Sequence, residues 1–405
     1  MSTTEISSNP VEMPAVKQLS AAERRRYLSL NDFEAAARRR LPPMLYSYIR
    51  EGVETNASLR HNRTVFSDYA LVPRVLTDVS ARSQAVTLFE HRYASPFGIA
   101  PMGGAAVCAY RGDLALGRAA AAANIPMVVS AASVIPLEDI QRACPHAWFQ
   151  AYLPADHERI EPMVDRVAAA NFRTLILTAD VPVGSNREHY IRSGFSIPVR
   201  PSVRLVWQGA THPAWLFGTA LRTVANHGMP HFENMDATPG PPFFSRLSTR
   251  VLGRRDALSW KSVELIRRRW NGNFLLKGIL SSEDARIARE SGVDGIIVSN
   301  HGGRQLDTAT AALRVLPQIV AEAKAMKVIL DGGIRRGTDV LKALALGADF
   351  VLVGRPFLYA AVAGGDPFVR HAIGLLREEV DRDMALLGVG DIDSVSPNAV
   401  VRIFP

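Results

Sequence analysis

Short apolar segments recur along most of the chain, and helical stretches separate them. Each segment has four or five residues and lacks the regular polar–apolar alternation of a half-exposed strand. Continuous apolar runs of this length are typical of strands that are buried on both faces of a parallel sheet. The eight segments cover residues 97–100, 127–130, 148–152, 174–178, 274–277, 295–299, 327–330 and 350–353.

The residues between these segments follow the periodicity of amphipathic helices. The clearest of the predicted helices cover residues 113–123, 158–170, 282–291 and 337–346. Eight buried strands that alternate with helices predict an α/β fold, a single (β/α)8 TIM barrel.

Two regions fall outside this repeat. Residues 1–30 are expected to form a flexible arm, followed by a helical extension over residues 31–50 that Pro42 and Pro43 interrupt. Strands four and five are separated by residues 179–273, far more than one helix needs. We therefore predict a helix at 260–270 and an inserted lid or membrane-contact segment at 183–257. The barrel domain would span residues 31–395, with a C-terminal tail at 396–405.

Composition and charge narrow the possible functions only slightly. The 405 residues are 47% hydrophobic and 21% charged, as in an ordinary soluble globular protein. A net charge of +8 suits an anionic ligand, a membrane surface or nucleic acid. The arginine clusters at 24–26, 38–40 and 267–269 suit solvated helix faces, so we expect no nucleic-acid partner. Only Cys108 and Cys144 are present, which excludes a disulfide framework and fits a reducing compartment, and we expect no metal site.

Polar residues or glycines stand at the C-terminal end of every predicted strand. In a (β/α)8 barrel these ends meet at one rim, where active sites lie. A purely structural barrel would place such residues there once or twice by chance, so eight occurrences predict a functional site. The residues concerned are Pro101, Met102, Gly103, Ser130, Gln150, Tyr152, Thr178, Asp180, Lys277, Ser299, His301, Asp331, Gly332, Gly333, Arg335, Gly354 and Arg355.

The loops after strands seven and eight combine glycines with arginines. Gly332, Gly333 and Gly354 allow backbone N–H groups to approach an anion closely. Arg335 and Arg355 add charge-assisted hydrogen bonds. One such loop alone would be a weak signal, since a plain turn is commoner. Because barrels usually bind phosphate at these two loops, we predict a phosphate-bearing cofactor or substrate.

The segment after strand six, SNHGGRQLD, carries candidate catalytic residues. His301 is a candidate base because histidine titrates near neutral pH, although a lone histidine is more often a structural hydrogen-bonding group. Arg304 offers a planar fork suited to a carboxylate, and Asp180 from strand four could support a protonated imidazole. A base beside a carboxylate-binding arginine indicates proton removal from a small hydroxy acid.

These motifs resemble those of a known family. SNHGGRQLD at 299–307, with LLKG at 275–278 and DGGIRRGTD at 331–339, closely resembles the FMN-dependent L-2-hydroxy acid oxidase/dehydrogenase family. The resemblance extends from LPPMLYSYIREG at 41–52 to LALGADFVLVGRP at 344–356. The family includes glycolate oxidase, L-lactate dehydrogenase and oxidase, and (S)-mandelate dehydrogenase, and the last and the bacterial L-lactate dehydrogenases are the most similar.

The resemblance implies roles for individual residues, with His301 as the active-site base and Asp180 as its partner. The catalytic residues that it implies are His301, Asp180, Tyr152 and Lys277. The residues that it implies for substrate binding are Tyr48, Tyr152, Arg187, Arg304 and Ala132. Those that it implies for FMN binding are Pro101, Met102, Gly103, Ser130, Gln150, Thr178, Lys277, Ser299, Asp331, Gly332, Gly333, Arg335, Gly354 and Arg355.

The resemblance also implies a reaction, the oxidation of an (S)-2-hydroxy acid of the L-lactate or (S)-mandelate type to the 2-keto acid. Electrons would pass to a quinone or another non-oxygen acceptor. The alternative is an oxidase that uses oxygen and produces hydrogen peroxide. His301 would take the hydroxyl proton in a hydride mechanism or the α-proton in a carbanion mechanism, and the sequence does not choose between them.

Three departures within the family bear on this choice of acceptor and on the substrate. Gly103 stands where many oxidases carry alanine, and in this it resembles the dehydrogenases. Ala132 stands where glycolate oxidases carry tryptophan, which leaves room for a larger substrate. Met102 replaces a common threonine, which changes little if the contact there is through the backbone.

The insertion bears on location. In (S)-mandelate dehydrogenase and bacterial L-lactate dehydrogenase the corresponding segment is implicated in membrane association. Residues 211–232 mix tryptophan, leucine and phenylalanine with arginine, as interfacial segments do, although a lid over the flavin is the alternative. The resemblance thus implies a cytoplasmic homotetramer, peripheral on the cytoplasmic face of the inner membrane. A non-redox FMN isomerase and a catalytically silent membrane-binding barrel are alternatives from other classes.

Overall fold

The computed structural model describes residues 18–196, 202–242, 245 and 255–403. The strands within these ranges are β1 (Tyr69–Leu71), β2 (Val86–Leu88), β3 (His91–Tyr93), β4 (Phe97–Ile99), β5 (Val128–Ser130), β6 (Trp148–Ala151), β7 (Thr174–Thr178), β8 (Asn273–Ile279), β9 (Gly295–Val298), β10 (Lys327–Asp331), β11 (Phe350–Val353) and β12 (Val400–Arg402).

The helices within the same ranges connect these strands or extend from the barrel. They are α1 (Ala21–Arg26), α2 (Asp32–Arg40), α3 (Pro43–Arg50), α4 (Ala57–Thr64), α5 (Ala105–Cys108), α6 (Gly112–Ala123), α7 (Leu137–Ala143), α8 (His157–Ala169), α9 (Glu188–Ser193), α10 (Val203–Ala210), α11 (Pro213–Trp215), α12 (Arg222–His227), α13 (Trp260–Arg269), α14 (Ser282–Glu290), α15 (Ala312–Ala323), α16 (Gly337–Ala345), α17 (Arg355–Gly364) and α18 (Asp366–Leu387).

The eight strands from β4 to β11 form a single parallel sheet in the order β4, β11, β10, β9, β8, β7, β6, β5. An isolated parallel bridge between Ile99 and Met127 joins the end of β4 to the residue before β5, so the sheet closes into a barrel. The predicted (β/α)8 fold is confirmed. Each predicted strand is present, with ends that differ from the prediction by at most two residues.

Aromatic side chains from four barrel strands lie in the protein interior. Phe97, Phe149, Phe274 and Phe350 are fully buried, and the apolar residues around them belong to one continuous core. Burying a side chain of this size stabilises the fold by roughly 1.5–3 kcal/mol relative to leaving it in water. The strands are therefore held by burial on both faces, as their apolar sequences predict.

The N-terminal region is more ordered than the sequence predicts. Residues 1–17 lie outside the described residues, but residues 18–30 include α1 and are not a flexible arm. Tyr27 and Leu30 are buried, and the ring of Tyr27 stacks on that of Phe33 at 4.8 Å between centroids. The predicted break at the prolines is confirmed, because α2 ends at Arg40 and α3 begins at Pro43.

The C-terminal tail is also part of the folded molecule. Residues 404 and 405 lie outside the described residues, but β12 pairs in antiparallel register with β1, and Tyr69 lies opposite Arg402. This small sheet ties the end of the chain to the region before the barrel.

The insertion is largely helical in its described part, with helices α9 to α12 and a π-helical turn at Leu216–Leu221. Residues 197–201, 243–244 and 246–254 of the predicted segment lie outside the described residues. The indole Nε1 of Trp215 donates to the backbone oxygen of Val107 at 2.9 Å. The helical segment is therefore attached to α5, the short helix that follows the first barrel strand.

Candidate active site

His301 lies directly after β9 in a turn with unusual backbone geometry. Its φ is +58°, and Gly302 and Gly303 follow with φ of +63° and +75°. Three consecutive residues in the left-handed region reverse the chain within a few residues, and the two glycines adopt this conformation without steric cost. The histidine bears that cost itself, and such strain is common at active sites.

The imidazole of His301 lies between an acid and a phenol. Its Nδ1 is 3.0 Å from Oδ1 of Asp180, and its Nε2 is 3.3 Å from the hydroxyl of Tyr152. Because an ionised carboxylate can only accept, Nδ1 donates to Asp180 and Nε2 carries a lone pair. The hydroxyl of Tyr152 donates to that lone pair, at the position from which a base would take a proton.

Electrostatics favour a neutral imidazole near neutral pH. Burial lowers the pKa of His301, and the adjacent Asp180 carboxylate offsets only part of this effect. Burial would raise the pKa of the Asp180 carboxyl, but His301 and Lys277 together hold it below its usual range. The pair therefore combines an ionised carboxylate with an imidazole that is free to accept a proton.

A bulge in β8 allows Asp180 to reach this position. The register of β8 with β9 shifts between Lys277 and Ile279, and the intervening Gly278 has a φ of +105°. A Cβ atom added to Gly278 would lie 2.5 Å from the Cβ of Asp180. Only glycine fits there, because both the backbone conformation and the close approach exclude a side chain.

Two arginines converge near the base. Arg304 donates through Nη2 to the hydroxyl of Tyr190 at 2.6 Å and through Nη1 to the backbone oxygen of Tyr48 at 2.6 Å. Arg187 donates through Nη1 to the same Tyr190 hydroxyl at 3.0 Å. Neither guanidinium has a carboxylate partner within the described ranges, so both charges remain available to an anionic ligand.

Tyr48 closes one side of the site from α3. Its hydroxyl donates to the backbone oxygen of Gly103 at 2.8 Å, and its ring packs on Phe195 at 4.9 Å between centroids. A Cβ atom added to Gly103 would lie 2.7 Å from the Cβ of Ala132 and 3.3 Å from the Tyr48 hydroxyl. The small residues at 103 and 132 are therefore matched to each other.

A buried cation and anion lie deeper in the barrel mouth. Nζ of Lys277 is 2.9 Å from Oδ2 of Asp331 and 3.0 Å from Oγ of Ser299. The Ser299 hydroxyl donates to the same Asp331 oxygen at 2.8 Å. Burial alone would lower the pKa of Lys277, but Asp331 and Asp180 raise it, so the side chain stays an ammonium ion.

Polar atoms beside this cluster lack partners. The Ser130 hydroxyl donates to Oε1 of Gln150 at 3.1 Å, which orients the amide. Nε2 of Gln150 and the hydroxyl of Thr178 are then buried without a hydrogen-bond partner in the described part of the chain. Leaving such groups unpaired is costly, so a ligand with several polar ring atoms fits this position.

The opposite end of the site is cationic. Arg335 and Arg355 are partly buried. Arg335 donates to the backbone oxygen of Ile334, and Arg355 donates to those of Ile49 and Gly302. Burial and neighbouring arginines lower the pKa of Arg335 to about 9 and that of Arg355 to about 10. A bound anion would remove this electrostatic penalty.

Backbone groups surround the same two arginines. Gly332 and Gly333 have φ of +120° and +84°, and Gly354 immediately precedes the first residue of α17. The positive end of the dipole of that helix also favours an anion at this place. A phosphate at this end and a polar ring system near Gln150 and Thr178 together fit FMN.

Three functional candidates escaped the sequence prediction. Tyr190 receives hydrogen bonds from both Arg187 and Arg304. Asn62 from α4 exchanges side-chain hydrogen bonds with Asn300 at 2.6 and 2.9 Å, and Oδ1 of Asn300 accepts from the N–H of Gly303, which fixes the turn after His301. Arg255 lies over the ring of Tyr152, with 4.7 Å between its guanidinium carbon and the ring centroid.

The sequence offered little signal for these three positions. Asn300, the partner of Asn62, lies within the SNHGGRQLD motif, but α4 and the insertion reach the rim through tertiary packing. All the predicted site residues lie within the described ranges, at the mouth formed by the C-terminal ends of the strands. In those ranges no group of three or more histidine, cysteine or acidic side chains could hold a metal ion.

The fold and the site define a class of protein. The family of FMN-dependent dehydrogenases matches residues 37–402, and the chain belongs to that family as an FMN-dependent oxidoreductase. It is 39% identical over 376 residues to an L-lactate dehydrogenase of Pseudomonas entomophila (strain L48), covering 92% of this chain and 97% of the relative. It is 38% identical over 371 residues to an (S)-mandelate dehydrogenase of Pseudomonas putida, covering 91% and 93%.

Solved structures agree with this assignment. A crystal structure of the monotopic membrane protein (S)-mandelate dehydrogenase has a TM-score of 0.84 at 37% identity and covers 93% of this chain and 99% of its own. A crystal structure of mandelate oxidase with benzoyl-formic acid has a TM-score of 0.76 at 34% identity and covers 93% of this chain and 98% of its own.

Proposed function

We propose that the enzyme oxidises an (S)-2-hydroxy acid of the L-lactate or (S)-mandelate type to the 2-keto acid. The observation that carries this proposal is the neutral, Asp180-supported imidazole of His301 beside two arginines that lack carboxylate partners in the described part of the chain. The relatives include proteins named L-lactate dehydrogenase and (S)-mandelate dehydrogenase. Bound FMN supplies the two-electron acceptor that no side chain provides.

Each side chain then has a defined task. Arg304 and Arg187 bind the substrate carboxylate, and planar guanidinium groups suit that geometry. His301 accepts the proton at Nε2, and Asp180 stabilises the imidazolium ion that results. The Lys277 ammonium provides positive charge where negative charge accumulates during the reaction. Tyr48 and Tyr152 complete the substrate contacts.

Small residues line one side of the proposed substrate position. Ala132 and Gly103 present a methyl group and a hydrogen where a bulkier pair would fill the space near the Tyr48 hydroxyl. This permits an aromatic substituent, as in mandelate, without requiring one.

The exposed residues of the insertion support peripheral membrane binding, and an enzyme bound to the membrane could pass its electrons to a quinone there. Trp207 and Phe217 are 68% and 66% exposed, and Val203 at the start of α10 is 88% exposed. Exposed aromatic and aliphatic groups near arginines such as Arg204 are typical of interfacial helices. None of the helices in the described ranges has the length and apolar character needed to cross a bilayer.

We place the enzyme on the cytoplasmic face of the inner membrane, as a homotetramer. A quinone reached from that surface would take two electrons and two protons per turnover. Light scattering of the detergent-solubilised protein measures the number of subunits, and a monomer would contradict this part of the proposal.

Anaerobic flavin bleaching tests the reaction. The FMN-loaded enzyme should lose its flavin absorbance on addition of L-lactate or (S)-mandelate and yield the corresponding 2-keto acid. His301→Ala should retain FMN but react about 10²–10⁴-fold more slowly, the usual effect of losing a general base. If no 2-hydroxy acid reduces the flavin, the proposal is wrong.

The electron acceptor is tested separately. With excess substrate, a soluble quinone analogue should be reduced much faster than oxygen is consumed. Rapid formation of hydrogen peroxide would instead identify an oxidase.

A further inference from the structure

Arg255 is a buried arginine at the end of the insertion, in the short turn Arg255–Ala257 before α13. Only 9% of the residue is exposed. Its guanidinium carbon lies 4.7 Å from the ring centroid of Tyr152, whose hydroxyl contacts Nε2 of His301. One aromatic ring therefore separates this cation from the proposed base.

The guanidinium of Arg255 is incompletely paired. Its Nε and Nη2 atoms are buried and have no hydrogen-bond partner within the described ranges. Burial and the nearby positive charge of Arg159 lower the pKa of Arg255. Arg159, in contrast, is ion-paired with Asp236 at 2.7 Å. A stack on one ring satisfies none of the N–H donors, so the stack alone does not account for a buried charge here.

We infer that Arg255 binds a second anionic group of the substrate, so that the preferred 2-hydroxy acids carry a further carboxylate on the substituent at C2. This inference rests on the proposed function and specifies its substrate class. The reacting carbon must approach His301, so a substituent that extends from it along Tyr152 would approach the N–H donors of Arg255 that have no partner in the described part of the chain. Arg304 and Arg187 then hold the first carboxylate.

Matched pairs of substrates test this inference in the wild-type holoenzyme. (S)-2-Hydroxysuccinate is compared with (S)-2-hydroxybutyrate, and (S)-2-hydroxyglutarate with (S)-2-hydroxyvalerate, so that each pair differs by a carboxylate in place of a methyl group. The rate of anaerobic flavin reduction per unit of substrate concentration should favour at least one dianionic acid by about 10- to 100-fold, the range expected for a charged hydrogen bond in a buried site.

Variants identify the residue responsible. Arg255→Met should abolish the preference for dianionic acids. Arg255→Lys should retain part of it, because lysine keeps the positive charge but lacks the planar guanidinium group. Arg159→Met is the matched control, a nearby arginine that already has a carboxylate partner. Calorimetric titration with 2-oxoglutarate and 2-oxopentanoate gives a second readout, since the same preference should appear in product binding without turnover.

The outcomes separate the two proposals. If neither member of any pair, nor L-lactate or (S)-mandelate, reduces the flavin, the proposed function fails. If the monoanionic acids react as well as the dianionic ones in the wild-type enzyme, the function stands and the inference about Arg255 is overturned. If Arg255→Met slows the reaction of monoanionic and dianionic acids equally, Arg255 only supports Tyr152 structurally. If Arg159→Met loses the preference for dianionic acids as fully as Arg255→Met does, the preference comes from the general positive charge of this region. Either result would also overturn the inference about Arg255.

Discussion

The imidazole of His301 illustrates how burial and charge act on one side chain in opposite directions. Burial lowers its pKa from the ordinary value of 6.5, and Asp180 raises it again by a smaller amount. The result is a base that remains neutral into mildly acidic solution, while its carboxylate partner stays ionised.

The pH dependence of turnover follows from this balance. The acidic limb of the kcat/KM profile should lie below pH 6.5, because the free enzyme loses activity only when His301 is protonated. Asp180→Asn removes the negative charge that favours the protonated form, so the limb should move to lower pH while kcat falls. A profile measured under anaerobic conditions checks both effects. A limb that stays in place in the variant would contradict the coupling.

Gly103 and Ala132 form a second matched pair. Gly103→Ala would bring two methyl groups to about 2.7 Å, so the variant should lose flavin affinity or turnover. Adding Ala132→Gly should restore much of the loss, because it removes the opposing methyl group. The double-mutant cycle in flavin affinity and kcat/KM measures this interaction. Additive losses would show that the contact does not limit the site.

The residues that sequence could predict are those at strand ends. His301 and Arg335 follow buried strands, and Lys277 lies in the C-terminal half of one, so the barrel topology alone brings them together. Tyr190 and Arg255 lie on the insertion, whose position depends on packing that no periodicity reveals. Only the three-dimensional structure shows that Arg187 and Arg304 have no carboxylate partner in the described ranges. The same holds for the missing hydrogen-bond partners of Gln150 and Thr178 there.

Among the secondary-structure elements, α1 was missed although its signal was present. Ser20 and Glu23 have the spacing of a capping box, and both of its hydrogen bonds form. The polar composition of the first residues concealed this local motif. The long barrel helices were easier to predict because their apolar faces repeat over several turns.

The insertion leads to a prediction about membrane binding. Trp207→Ser combined with Phe217→Ser should weaken binding to vesicles that contain anionic lipid by at least about tenfold, because each exposed aromatic side chain would otherwise be buried in the interface. Cosedimentation with vesicles measures the effect. Leu28→Ser removes a similarly exposed apolar group outside the insertion and should leave binding unchanged.

Equal binding of the double variant and the wild type would identify the segment as a lid that does not enter the membrane. In that case the same substitutions should instead change the access of solvent to the flavin, which iodide quenching of its fluorescence reports.

We expect FMN to stabilise the barrel as a unit, because the proposed FMN contacts come from all eight strands. FMN at a hundred times its Kd should raise the free energy of unfolding by about 2.7 kcal/mol. Arg335→Met should weaken FMN binding by about 10- to 100-fold, because a charged hydrogen bond to phosphate is lost. Thermal denaturation across a range of FMN concentrations gives both quantities.

Arg336→Met is the matched control for that experiment. Its guanidinium is the next in the same loop, but it is ion-paired with Glu379 at 3.2 Å and half exposed. FMN affinity should be preserved in this variant. If both arginine variants lose affinity equally, the loss reflects damage to the loop as a whole.

A single bridge, between Ile99 and Met127, pairs β4 with β5, and we expect this strand pair to be the least stable in the described barrel. Amide exchange should begin there, since fewer ladder hydrogen bonds hold this edge than any other pair of neighbouring strands in the described barrel. Gly103 follows β4 and Ser130 ends β5, so a cofactor that contacts both residues would hold the two strands together. Release of the flavin and separation of β4 from β5 would then be the same slow motion.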